Sequence, residues 1–330
     1  MKAVMQDRYG GIDMLQLRDV ARPQLSDTDV LVRVNAAAVN PLDWHVMRGV
    51  PVVARGATGG LRRPQPAVLG VDLAGTVEDV GRDVTGLNPG DDVFGTGPGS
   101  FAEYCAAPQD TLAPKPSNLS FEQAAAVPIA GVTALQLLRD VGKVRAGHRV
   151  LINGAAGGVG TFAVQIATAF GAEVAGVCST RNVDLVRSLG AQRVFDYTSE
   201  DFTKSGERYD VILDNIANHP LSAIRRTLQP RGMLINNSGR GGRVVGPLVR
   251  IAAIAVLSRV SKQQLRFRTA TVTSEDLLVL KQLIEEGKVR AVIDRSFALN
   301  QVPDAIRYLE SEHVRGKVVV GIHRAGVFPG

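Results

Sequence analysis

The stretch Arg149-Val-Leu-Ile-Asn-Gly-Ala-Ala-Gly-Gly-Val-Gly160 constrains the fold more than any other part of the chain. It delivers a short apolar strand straight into a glycine turn that opens a helix. Gly154, Gly157 and Gly160 allow a tight turn, close approach of the backbone to a phosphate, and close packing of the helix on its strand. The unpaired N–H groups at the helix start would face an anion. The spelling is G-x-x-G-x-x-G, one position away from the usual dinucleotide fingerprint, so the context carries the reading. Val150 to Ile152 read as a buried strand, and Thr161 to Phe170 as a helix that buries Phe162, Val164, Ile166 and Ala167.

The next strand, Glu173 to Cys178, is followed by Ser179-Thr-Arg-Asn182 with no carboxylate. A site for NADH places Asp or Glu there to bind the ribose 2′-hydroxyl, whereas Arg181 with hydroxyl neighbours suits a 2′-phosphate. NADPH is therefore the expected cofactor.

A chain of 330 residues is expected to form two domains. Its net charge of +6 is scattered, and the densest runs (Arg62-Arg63, Arg225-Arg226, Arg266-Phe-Arg268) are short, which argues against a nucleic-acid partner. Two cysteines, Cys105 and Cys178, supply neither a disulfide framework nor a cysteine-rich metal site. The first ten residues carry charges and no apolar core, so no secretory signal is expected. The apolar run from Gly246 to Ser258 is interrupted by Arg250 and is too short to span a bilayer. A cytoplasmic protein without a membrane partner is expected.

Up to about Leu119 the chain reads as short strands with Gly/Pro punctuation, among them Val30 to Val34, Ala74 to Val80 and Asn88 to Gly95. At Ser120-Phe-Glu-Gln123 the spacing of a capping box begins an α/β region. Strands are expected at 149–153, 173–178, 193–196, 210–213, 232–236 and 265–269 in a parallel sheet. A helix is expected at 274–286, and a strand–helix–strand return over 289–322 rejoins the first domain. The predicted fold is α/β: a doubly wound parallel-sheet (Rossmann) domain over residues 123–294 and a β-rich catalytic domain over 1–122 and 295–330, with the cofactor in a cleft between them.

Several runs together resemble the zinc-free quinone oxidoreductase branch of the medium-chain dehydrogenase/reductase superfamily. They are Ala38-Val-Asn-Pro-Leu-Asp43, Pro66-Ala-Val-Leu-Gly-Val-Asp-Leu-Ala-Gly-Thr-Val77, Gly90-Asp-Asp-Val-Phe-Gly95, Phe101-Ala-Glu-Tyr104, Val127-Pro-Ile-Ala-Gly-Val-Thr-Ala134 and the glycine loop. The resemblance covers nearly the whole chain. It implies a GroES-like fold for the β-rich domain. It also places Asn40, Val71 and Ala130 where zinc alcohol dehydrogenases carry metal ligands, so no metal is expected.

Hydride transfer from NADPH to a quinone or α,β-unsaturated carbonyl is the implied reaction, since its product charge delocalises without a Lewis acid. A zinc-independent alcohol or carbonyl dehydrogenase, or a non-catalytic NADPH-binding protein, are the alternatives. By resemblance, Asn40 and His45 are the catalytic candidates. Asn40 would donate its amide to substrate or cofactor, and His45 would donate a proton or contact a ribose. Asp43 lies on the same side or orders its own loop, and Trp44 either shapes a pocket or fills a core. The same likeness puts Thr133 near the nicotinamide, Gly157, Gly158 and Val159 under the pyrophosphate, and Ser179, Thr180 and Arg181 at the 2′-phosphate. Tyr197 and Asn215 would lie along the adenosine, and Asn237 and Ser238 near the carboxamide. Lys317 would reach a cofactor phosphate, with a surface lysine as the other reading. Phe101 and Phe267 are pocket candidates, His148, His219, His313 and His323 are expected on the surface, and a homodimer is implied.

Overall fold

A computed structural model describes residues 1–50, 55, 60, 63–64, 67–237, 262–310 and 314–322. Ser238, His313, His323, the apolar run 246–258 and most of the 55–66 loop lie outside the described residues. The chain divides into two compact units, Met1–Ile129 with Val272–Glu286 and Ala291–Gly330, and Ala130–Thr271 with Gly287–Arg290.

The second unit is built on a six-stranded, wholly parallel sheet. Side by side, its strands run Arg193–Asp196, Glu173–Cys178, Arg149–Asn153, Tyr209–Asp214, Leu228–Asn236 and Gln264–Phe267. In chain order this is third, second, first, fourth, fifth, sixth, the doubly wound arrangement with a switch point between first and fourth strands. All six expected strands are present, the first three in chain order with the expected ends and the last three with shifted ones. The fifth begins four residues early because an irregularity between the Tyr209–Leu228 and Val211–Met233 pairs takes Pro230 out of the ladder. The helix Gly158–Ala169 buries Phe162, Val164, Ile166 and Ala167 as expected, within a continuous buried run from Gly160 to Ala167 that takes in every face.

In the first unit a seven-stranded sheet is centred on Asp29–Val39 and Asp72–Val80, both rich in Val and Ala and buried on the core face. Ile293–Ala298 and Lys317–Gly321 join its edge, so the carboxyl-terminal return is as expected. The helix Val302–Glu310 covers it with Val302, Ala305 and Ile306 in the core. Phe101 is fully buried in that core, which removes it from the pocket candidates.

The expected boundary at residue 294 needs correction, because the helix Ser274–Glu285 belongs to the first unit. Ser117 donates to its Glu285 through both N–H and Oγ, and Asn118 Nδ2 donates to the Ile284 carbonyl. Ser120 caps the helix Phe121–Ala125 in the expected box: its Oγ accepts from the Gln123 N–H, and Gln123 Oε1 accepts from its own.

Candidate functional site

The carboxyl ends of the parallel strands carry the expected nucleotide-binding residues of the second unit. The first strand ends at Asn153, and Gly154 turns with φ +81° in the left-handed region. Gly157 caps the next helix without a side chain, so the N–H groups of Gly158, Val159 and Gly160 open outward as an anion cradle. Close packing is the second requirement: a Cβ on Gly160 would stand 2.1 Å from the Gly154 carbonyl oxygen.

Beyond the second strand, Ser179, Thr180 and Arg181 begin a single 3-10 turn, and Ser179 Oγ accepts from Asn182 Nδ2. Thr180 pairs with Thr198, and the Tyr197 N–H donates to the Cys178 carbonyl, which sets the exposed Tyr197 beside this turn. Asn215 and Asn237 follow the fourth and fifth strands and are joined by an Asn237 Nδ2 to Asn215 Oδ1 hydrogen bond of 2.8 Å. Thr133 is half-buried on the helix Pro128–Gln136.

A buried polar cluster occupies the first unit. Strand register creates it: Val318 lies opposite Val39 and Asp72 opposite Ala38, so Lys317, Asn40 and Asp72 share one end of three neighbouring strands. Lys317 Nζ lies 3.2 Å from Asp72 Oδ2, 3.4 Å from the Val39 carbonyl and 2.5 Å from Asn40 Oδ1. Asn40 Nδ2 donates to Asp72 Oδ2 and the Ala38 carbonyl, and Asp72 Oδ1 accepts from the Ile129 N–H. Asp72 and Lys317 are 0% and 4% exposed.

Two expectations fall here. Lys317 is neither on the surface nor free to reach a phosphate, since its three protons have internal acceptors. Asn40 has no N–H left for substrate or cofactor, because both point inward; its reversed amide would set NH₂ against the ammonium. Asn40 instead anchors the start of the helix Pro41–Arg48, where its backbone N–H donates to Asp43 Oδ2 at 2.7 Å. Asp43 orders its own loop, facing inward rather than toward a cofactor.

Burial pushes the Asp43 carboxyl up to about 7, with Asp72 adding to the rise and the Asn40 N–H and Lys317 opposing it. Burial also raises Asp72, against Lys317 and Asn40. A carboxyl whose folded pKa is raised stabilises the fold below its unfolded pKa of about 4, and that stability is lost as pH rises through about 7. Asp43→Asn keeps an acceptor and removes the titration. Its stability relative to the parent should therefore rise by about 2 kcal/mol between about pH 5 and about pH 7, read by denaturant melts at each pH; a flat difference would place the raised pKa elsewhere.

His45 lies on the same helix, fixed by its ring. Its Nδ1 lies 3.0 Å from the Val50 carbonyl, so Nδ1 carries the proton and the neutral ring offers Nε2 as an acceptor. Desolvation lowers its pKa below the usual histidine value, opposed by the Val50 carbonyl. Trp44 meets His45 edge-on at 4.4 Å and packs on the core, and Arg48 pairs with Glu310 at 2.7 Å, which ties the helix down. His148 and His219 are half-buried rather than on the surface; His219 stands edge-on to Phe202 at 4.9 Å.

The family model described as the alcohol dehydrogenase GroES-like domain matches residues 26–117, and the one described as zinc-binding dehydrogenase matches 189–320. The 2-methylene-furan-3-one reductase of Solanum lycopersicum is 37% identical over 97% of this chain and 79% of that protein. The chain belongs to the medium-chain dehydrogenase/reductase superfamily, in its quinone oxidoreductase branch. Another member, the chloroplastic NADPH-dependent alkenal/one oxidoreductase of Arabidopsis thaliana, is 36% identical over 97% of this chain and 79% of its own. The solved quinone oxidoreductase of Coxiella burnetii superposes with a TM-score of 0.84, at 31% identity, over 98% of this chain and 99% of that one.

Within this superfamily framework, sequence reasoning missed Asp72 and Asp214 as organising residues. Each is a carboxylate at one end of an apolar strand, in the runs Val71-Asp-Leu-Ala74 and Val211-Ile-Leu-Asp214, and each is fully buried. A lone charge in such a run requires buried partners, which was the available signal.

Proposed function

We propose that this protein is an NADPH-dependent reductase of quinones and α,β-unsaturated carbonyls that works without zinc. The observation that carries the reading is the glycine cradle at the switch point, followed on the next strand by Ser179, Thr180 and Arg181 with no carboxylate among them. The names of the tomato and Arabidopsis relatives support the substrate class, and the latter supports NADPH.

The cofactor fits the residues present: the glycines leave the space a Cβ would fill, and Asn215 Nδ2 is a buried donor without a partner among the described residues. At the helix start that Gly157 caps, the N–H groups of Gly158 and Val159 would hold the pyrophosphate, and Ser179, Thr180 and Arg181 would hold the 2′-phosphate. Bound NADPH supplies a hydride to the electron-poor carbon of the substrate.

His45 bears on the choice of substrate. With Nδ1–H engaged by Val50 and its pKa lowered, it is an acceptor at neutral pH, able to take a hydroxyl hydrogen bond rather than to protonate a simple ketone. An enone or quinone, whose product charge delocalises, is the substrate that tolerates this. The zinc-free reading is supported by donor chemistry. Asn40, Val71 and Ala130 stand at the ligand positions, and burial holds Cys105 and Cys178 as thiols by raising them to about 12 and about 11. The proposal includes a homodimer, for which the edge strand Gln264–Phe267 of the described sheet offers a pairing surface, and a cytoplasmic location.

NADPH oxidation with enones, quinones and saturated ketones, with and without chelator, tests the reading. Chelator-insensitive turnover of the first two classes is expected. Arg181→Ala should lower kcat/KM for NADPH about tenfold, the loss of one charge-assisted contact, while leaving NADH turnover near the parent's. Equal loss with both cofactors would refute the 2′-phosphate assignment.

A further inference from the structure

Asp214 ends the fourth parallel strand at the switch point, is fully buried, and has no part in the function described above. Its Oδ1 accepts three hydrogen bonds: Asn153 Nδ2 at 2.8 Å, the Ile216 N–H at 3.2 Å and the Ala217 N–H at 2.8 Å. Those two N–H groups wrap the chain into a side-chain-closed turn, with Ala217 held at φ +59°, a conformation uncommon outside glycine. The first of the three bonds ties that turn to the residue immediately before the glycine cradle.

The turn also packs on the cradle directly. A Cβ placed on Gly154 would stand 2.8 Å from Ile216 Cδ1 and 3.4 Å from Asn215 Cβ. Asn215 is thereby fixed beside the phosphate turn, with its backbone N–H on the Asn153 carbonyl at 3.1 Å. The Asn237 amide donates into Asn215 Oδ1, an arrangement that leaves Nδ2 as the outgoing donor of Asn215. That nitrogen is buried and has no partner among the described residues. A buried donor left unmatched is costly, so the arrangement calls for an acceptor that arrives with a ligand.

We propose that Asp214 is a positioning residue for the dinucleotide: its buried carboxylate sets the 214–217 turn against the glycine cradle so that Asn215 Nδ2 donates to the bound cofactor. The inference rests on the NADPH reading. Asp214 touches no cofactor atom itself, and its effect passes through Asn215 and Asn153.

NADPH binding, followed by cofactor fluorescence on the full chain, tests it with four proteins: parent, Asp214→Ala, Asn215→Ala, and the exchange Asn153→Asp/Asp214→Asn. The exchange keeps a carboxylate–amide hydrogen bond between the two positions and an acceptor for the turn N–H groups. Asp214→Ala and Asn215→Ala should each raise Kd for NADPH at least tenfold, with kcat at saturating NADPH falling less than about threefold. The exchange should return Kd to within about threefold of the parent. If Asp214→Ala does not fold, Asn215→Ala decides alone, since it leaves the carboxylate and its turn in place. Unchanged Kd in Asn215→Ala, or an exchange that binds no better than Asp214→Ala, overturns the inference while the NADPH reading stands. A parent protein without affinity for NADPH overturns both.

Discussion

Gly160→Ala should raise Kd for NADPH at least a hundredfold and cost about 3 kcal/mol of folding stability, at the upper end for an added methyl in a packed site. The new Cβ would lie 2.1 Å from the Gly154 carbonyl oxygen and 2.8 Å from the Ala155 carbonyl carbon, both backbone atoms. Backbone can yield only by moving the turn, and the turn is what presents the N–H groups to the pyrophosphate. Gly157→Ala gives the contrast. Its Cβ would find only the Gly154 oxygen at an ordinary 3.5 Å, and its φ of −81° suits any residue. Stability should then stay within about 0.5 kcal/mol of the parent, so any loss of binding at 157 reports the space a phosphate needs. Thermal melts beside NADPH titrations of both variants separate the two effects. Parent-like binding by Gly160→Ala would show that the cradle is not the phosphate site.

The same glycines explain why the nucleotide-binding unit was so legible. A parallel strand, a glycine turn and an apolar helix are contiguous, so the pattern from Arg149 to Phe170 contains its own structural context. Ser120 and Gln123 were readable for the same reason, because a capping box is a local device. The first unit was less legible because its key groups meet through sheet register. Nothing near Lys317 in the sequence reveals that Val318 pairs with Val39, and without that pairing the lysine reads as a surface charge. Asn40 was assigned to the right region and given the wrong task, since its amide partners lie 32 and 277 residues away. The helix Ser274–Glu285 was misassigned because its periodicity marks a buried face without naming what covers it.

The largest effect expected in the first unit follows from that register. Lys317→Met should cost about 3 to 5 kcal/mol at neutral pH, the range for breaking a buried ion pair by removing one partner. The methionine fills the lysine's volume, but among the described residues the Asp72 carboxylate keeps only Asn40 Nδ2 and the Ile129 N–H as partners. Losing the ammonium removes a strong influence that lowers the Asp72 pKa, so burial raises it further. The raised folded pKa gives the sign: the variant is least impaired below the unfolded carboxyl pKa of about 4 and loses stability as pH rises. Its deficit against the parent should therefore grow from about pH 5 to about pH 8. Asp72→Asn in the same chain removes the stranded charge and should recover about half of the loss at pH 8 while changing little at pH 5, because the amide still accepts from Ile129. Denaturant melts of the two variants at both pH values decide the matter. A pH-independent deficit, or a double variant no more stable than Lys317→Met, would mean that packing around residue 317 rather than its charge holds the strand ends together. The predicted pattern instead makes the ion pair the anchor of Asn40, and through it of the helix that carries His45.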